Sequence, residues 1–294
     1  MVLVDEDFSP STNQTTNAAL LLNGIVKSWN ASLGIPLWAT STAYLLPFTD
    51  SYAANIGVGH ITASYVNTTL SAAFVANDTA LTVGSITGMG NGYYIGVELD
   101  SGDMHWTTVN GVPSGSTVTL TTGLASAAAS GNNVYCYQTK LGRPLRIIQA
   151  YSVVGTLVTS TSDIPVQVVT TSEFLQLSNK ATENYPLYLN YEPNLTGNMK
   201  VWPRFSNGER VVAFRYHRAL EDFDATGDTP DFPQEYYLPL IYALAVTLAP
   251  TYNMEANKFA LLKREAKNWL DEISDNDYEE GSIYFQPNRT MSGV

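Results

Sequence analysis

Between Asp228 and Asn276 apolar residues recur at helical spacing on both sides of Ala249-Pro250-Thr251-Tyr252. That period predicts two consecutive helices. In the first, Thr229 or Asp231 is placed to cap and Pro230 or Pro233 to occupy the first turn, where a missing N–H costs little. Ile241, Leu244, Ala245 and Leu248 make its apolar face. Pro239 interrupts the pattern, and inside a helix it would cost about 3 kcal/mol, so a kink or a helix start near it is expected. In the second helix Asn253 is the cap and Phe259, Leu262, Ala266, Trp269, Leu270 and Ile273 form the stripe. Lys258, Lys263, Arg264 and Lys267 take the solvated face.

Upstream, Thr16–Trp29 shows the same period through Ala18, Leu21, Leu22, Ile25 and Val26, with Asn23 and Lys27 on the other face. Leu37–Phe48 alternates and reads as extended. From about His60 to Thr139 the chain is rich in Thr, Ser, Gly and Val. Short alternating runs there (79–83, 93–99, 104–109, 117–120 and 134–137) are separated by turn signals, which is the pattern of a small sandwich or barrel. Leu145–Val154 and Arg210–His217 read as strands. Thr171 or Ser172 is placed to cap a short helix with Glu173 in its first turn, and Leu187–Tyr191 with Met199–Trp202 form a hairpin. The fold class expected is α+β: a helical core with β-hairpins (1–58 and 140–275), an inserted all-β module (59–139) and an extended C-terminal arm (276–294).

Charge narrows the functions open to such a chain. The formal net charge is −12, which opposes a nucleic-acid clamp. No Lys or Arg occurs from Ser28 to Thr139, and Asp271–Glu280 is strongly acidic. The lone Cys136 excludes an internal disulfide and makes a cysteine metal site implausible. No apolar run reaches the roughly 20 residues a bilayer requires. The acidic segment MVLVDEDFSP lacks the basic, then apolar, pattern of a secretory signal, which is not expected here.

Chemistry-bearing groups are scattered. His60, His105 and His217 fall in different regions, so neither a triad nor a histidine metal site is expected. Glu98, Asp100 and Asp103 surround a hairpin turn; calcium binding is conceivable, but turn geometry explains them more simply. Gly88, Gly90, Gly92 and Gly96 lack the lysine of a phosphate loop and read as turn glycines. No catalytic, cofactor or metal residue is expected. The aromatic content points instead to interfaces. Ile283, Tyr284, Phe285, Gln286 and Pro287 form an apolar island beyond an acidic linker, expected to dock on a neighbour by strand addition. Phe259, Leu262, Trp269 and Ile273 are the expected packing residues between subunits.

Several words of this chain, in order, resemble the head-to-tail adaptor proteins of short-tailed bacteriophages, also called tail accessory factors or packaged-DNA stabilisation proteins. They are Leu22–Trp29, RPLRIIQA (143–150), DIPVQVVTTSEFLQLSNKAT (163–182), PLYLNYEPNLTGNMKVWPRF (186–205) and the helical run from Asp228. The β segment resembles an insertion of phage virion proteins through Thr79–Gly84, Ile95–Asp100 and His105–Val109. The resemblance implies a homo-oligomeric ring, a dodecamer, beneath the portal protein at the head–tail junction of the virion, built from subunits present in the host cytoplasm during assembly. Such a ring would extend the DNA channel, receive the tail nozzle or fibres, and help retain packaged double-stranded DNA without reading its sequence. No cofactor and no membrane is implied. An acidic channel wall would let DNA slide.

Two other readings stand beside it. A virion-associated cell-wall hydrolase needs paired carboxyls, with Glu173, Glu183, Glu221 and Asp222 as the available residues. A carbohydrate-binding tail component would use the β module, with Tyr93, Tyr94 and Trp106 stacking on sugars.

Overall fold

Alternating strands, rather than helices, build most of the core. The computed structural model describes residues 11–29, 38–48, 53–55, 59–156, 159, 162–195, 197–223, 234–252 and 254–276, with only the backbone at Trp38, Asn55 and 273–276. Two compact units are present: Ala39–Ala219, and Met1–Trp38 together with Leu220–Val294.

In the first unit the chain runs through β1 (Trp38–Leu45), β2 (Ala53–Asn55) and β3 (Ile61–Thr62). It continues through β4 (Val66–Thr69), β5 (Ala80–Thr82), β6 (Tyr94–Glu98), β7 (Met104–Thr108), β8 (Thr117–Thr119) and β9 (Asn133–Tyr137). It returns through β10 (Arg146–Val153), β11 (Ile164–Val169), β12 (Tyr188–Glu192), β13 (Asn198–Trp202) and β14 (Val211–Ala219). The first three and last five strands form one eight-stranded sheet in the order β2-β13-β12-β11-β10-β14-β1-β3. Strands β11 and β12 run parallel, which requires a crossover; that crossover carries helix α2, Thr171–Gln176.

Period-two alternation gives the sheet two apolar faces. Leu45, Val212 and Phe214 join one core with Ile147, Leu189, Met199 and Val201. Their neighbours in sequence, Tyr44, Leu46, Val211 and Ala213, join another, with Tyr135 and Tyr137 of β9.

Strands β4 to β9 form a small barrel. Four pair in the order β4-β9-β6-β7, and β5 pairs with β8. Isolated bridges Leu70–Val83 and Val109–Leu120 join the two groups, so the pairing runs full circle. Closure removes free edges. Inward residues Leu81, Val83, Ile95, Val97, Val118, Leu120, Val134 and Cys136 fill it. The segment 59–139 read from sequence thus contains the barrel and also β3, a strand of the large sheet. Thr62 Oγ1 donates to Thr139 O at 2.8 Å, so the two ends of the excursion meet.

The second unit holds α1 (Thr12–Ser28), α3 (Tyr237–Leu248) and α4 (Ala256–Asn276). Helix α1 opens on a capping box, Ser11 with Gln14. Pro239 does not kink α3: the helix begins at Tyr237, after a 3-10 turn over Gln234–Tyr236, so Pro239 sits in the first turn where its missing donor has no intrahelical acceptor to lose. The expected caps Thr229, Asp231 and Asn253 lie outside the described residues.

The chain is mixed α and β as expected, but the helices do not supply its main core. Among the described residues the helices share one small core of Trp29, Tyr236 and Leu240 with a half-buried surround, and Ala249 and Leu262 are buried beside it, whereas the large cores lie among strands. Three helices in contact expose much of each cylinder, while a sheet covered on both faces exposes little. Among the described residues no helix is long and apolar enough to cross a membrane.

Candidate assembly surface

The polar groups singled out in the sequence are held by local structure. Glu98 accepts from Asn133 and from Gly208 N, and Asp100 Oδ1 accepts from Ala129 N and Asn132. Asp103 accepts from Ser101. These carboxylates pin loops, and among the described residues no group of three or more His, Cys, Asp or Glu is arranged to hold a metal ion. Gly88, Gly92 and Gly102 have φ of 81°, 79° and 88°, the left-handed region that turns demand.

The acids considered as a catalytic pair are each in a capping, paired or exposed position. Glu173 is the third residue of helix α2 and caps it reciprocally with Thr170, one position before the cap read from sequence. The backbone and side-chain hydrogen bonds from Thr170 hold its carboxyl below the ordinary range. Glu183 pairs with Arg204. Asp222 meets Lys27 at 2.8 Å, both exposed. Glu221 is exposed.

An aromatic layer, not anticipated from the sequence, joins the barrel to the large sheet. Tyr94, Trp106 and Tyr137 project from the barrel's outer face, because their neighbours Ile95, Val97 and Cys136 point inward. The Trp106 ring stacks on His60 at 3.7 Å and 9°, and its Nε1–H donates to Pro47 O at 3.0 Å. His60 Nδ1 lies 2.9 Å from Tyr137 Oη. Tyr137 stacks on Tyr94 at 5.0 Å, and Lys140 sits over the Tyr94 ring. Burial first, then nearby Lys140, lowers the His60 pKa to about 3. Burial pushes the Cys136 thiol up to about 12 and the Tyr65, Tyr135 and Tyr137 hydroxyls above their usual range. Tyr135 Oη donates to Gly208 O at 2.5 Å. His105 remains apart, with Nε2 at 3.4 Å from Thr122 O, and His217 lies across β10–β14 from Arg146. The signal for this layer was the odd–even split of large aromatics against aliphatics along β6 and β9.

The helical unit presents apolar surface. Tyr237, Leu238 and Ile241 share one side of α3 at 41%, 40% and 59% exposure. Ile241 was expected on the buried face, but Leu240 and Ala243 take that position, since α1 and α4 pack on the other side. A groove between α1 and the end of α3 is lined by Leu20, Leu21, Leu248 and Tyr252, of which Leu20 is 71% exposed. The Gln14 amide reaches Tyr252 Oη across it at 3.2 Å.

Of the expected subunit-packing residues, Leu262 is buried within its own unit, Phe259 and Trp269 are half-buried, and the Ile273 side chain lies outside the described residues, as do Ile283, Tyr284, Phe285, Gln286 and Pro287. Asn23 and Lys27, read as the face of α1 opposite its apolar stripe, tie it to the returning chain: Asn23 exchanges two hydrogen bonds with the Phe223 backbone, and Lys27 pairs with Asp222. The chain matches no protein-family model and no curated protein.

Proposed function

We propose that this chain is a structural subunit that works by assembly: a head-to-tail adaptor of a short-tailed phage, forming a ring on the portal protein and joining it to the tail. The observation that carries the reading is the row Tyr237, Leu238 and Ile241, left exposed on a helix whose other side is packed. Single exposed apolar residues are ordinary, but three on adjoining turns of one short helix form a patch suited to a partner. The words that carry the resemblance fold as β10, β11 with α2, and the β12–β13 hairpin. Of the residues considered for sugar stacking, Tyr94 and Trp106 have faces occupied by Tyr137 and His60.

The test is a mass measurement of the protein alone and after mixing with the candidate portal. A ring-sized shift on mixing is expected, and Leu238→Asp with Ile241→Asp should abolish it while the circular dichroism spectrum stays unchanged. No shift with a folded wild-type protein, or a shift indifferent to the double substitution, overturns the reading. Truncation after Ser274 separately tests the arm, since unchanged portal affinity would exclude it from the contact.

A further inference from the structure

On one face of the β12–β13 hairpin the register sets Asn190 directly across from Lys200, and Glu192 across from Asn198. Leu189, Met199 and Val201 point to the other face, into the sheet core. Helix α2 packs against β12, so the polar face is roofed near Thr171.

Asn190 is 1% exposed. Its orientation is fixed by its amide nitrogen, which donates to Val169 O at 3.0 Å and to Thr171 Oγ1 at 3.4 Å. Its Oδ1 is buried and meets no donor among the described residues. A buried amide oxygen left without a donor costs about 1–3 kcal/mol, so this atom calls for an explanation.

Beside it lie an amine and a base. Lys200 Nζ is 2.5 Å from Glu192 Oε1, and the two side chains are only 16% and 26% exposed. The hydrogen bond from Lys200 keeps the Glu192 carboxyl below its ordinary range, so it is a carboxylate. The same oxygen accepts from Thr171 Oγ1 at 3.3 Å, which links it to the Asn190 amide. Cross-strand partners hold their Cβ atoms about 4.5–5.5 Å apart, a gap that a lysine folded onto an asparagine can bridge.

We propose that Lys200 and Asn190 are joined by an intramolecular isopeptide bond, with Glu192 carrying the protons. Glu192 takes a proton from the Lys200 ammonium and leaves a neutral amine. The amine attacks Asn190 Cγ, and the acid formed at Glu192 supplies a hydrogen for the charge developing on Oδ1, the atom that lacks a donor. The Nζ–Cγ bond forms and the Cγ–Nδ2 bond breaks. Of the ammonium's three hydrogens, one stays on the new amide and two leave with Nδ2 as an ammonium ion, so charge balances and nothing is oxidised or reduced. The register that sets Lys200 across from Asn190 stands in for the collision that makes amide aminolysis slow in water. The product clamps β12 to β13 and fixes their register.

The test is the intact mass of the purified full chain under denaturing conditions. The wild type is expected to be lighter than its sequence by one ammonia, with Lys200 and Asn190 peptides joined after digestion. Lys200→Arg and Glu192→Gln are each expected at full mass, and Asn190→Asp lighter by one water. A wild type at full mass overturns the proposal. So does a deficit that survives in Lys200→Arg, which would place the loss at an Asn-Gly pair such as Asn207-Gly208. The wild-type measurement decides even where a variant fails to fold.

Discussion

Trp106 touches the barrel, the large sheet and the segment after β1 at once. It stacks on His60, donates to Pro47 O, and lies over Gly96, where an added Cβ would meet its ring at 2.7 Å. Trp106→Ala is expected to cost about 2–4 kcal/mol, and Gly96→Ala about 1–3 kcal/mol through overpacking, both read by urea denaturation. His60 gives this layer a pH dependence. Its folded pKa of about 3 lies below the ordinary 6.5, so neutral His60 contributes fully above pH 6.5. As pH falls below that value the unfolded chain binds a proton that the folded chain refuses, and stability drops by up to about 1.4 kcal/mol per pH unit until about pH 3. His60→Gln should show a shallower loss of stability between about pH 6.5 and 4 than the wild type. The alternation that aims Trp106 and Tyr94 away from Ile95 and Val97 was legible in the sequence. What covers that outer face was not, because the covering residues, Tyr44, Leu46, Val211 and Ala213, are remote in the chain.

At the scale of elements, local chemistry and tertiary pairing divide the outcome. The cap of α2 is local: Thr170 and Glu173 satisfy each other's backbone donors, and Thr170→Ala is expected to cost about 1 kcal/mol in thermal or chemical denaturation. Pro239 is local too. In the first turn of α3 it removes no helical bond, so Pro239→Ala should not bring the roughly 3 kcal/mol gain that relieving an interior proline would give, measured by the same denaturation. Longer strands such as β1, β10 and β14 match the extended runs read from the sequence at Leu37–Phe48, Leu145–Val154 and Arg210–His217. Strands β2 and β3 span three and two residues, too short for any period, and exist because β13 and β1 offer them partners. Strand β11 begins with Pro165 near its start, a residue that weakens a strand assignment, yet its neighbours β10 and β12 enclose it.

For the molecule as a whole, the barrel and the large sheet form one unit continuous in sequence, residues 39–219, whereas the helical unit is assembled from both ends of the chain. Residues 39–219 expressed alone are therefore expected to fold with a strand-rich circular dichroism spectrum and protected amides in β6, β9, β10 and β14. Residues 220–294 alone lack α1 and its C-cap Trp29, which supply Leu22, Ile25, Val26 and the Trp29 ring to the small helical core, and should show reduced helicity. The sequence by itself determined what neighbours along the chain can enforce: helical periods, strand alternation, the turn glycines Gly88 and Gly92 (Gly96, read as a turn glycine, lies inside β6), the start of α2 to within a residue, and the absence of Lys and Arg between Ser28 and Thr139. Only the tertiary structure decided which faces are covered. It closed six short strands into a barrel, set aromatic rings against the sheet, exposed Ile241 while burying Leu240, and brought Lys200, Glu192 and Asn190 onto one roofed face. The reason is physical: a period fixes the direction of a side chain relative to its own backbone, whereas burial depends on a partner surface that arrives from far along the chain.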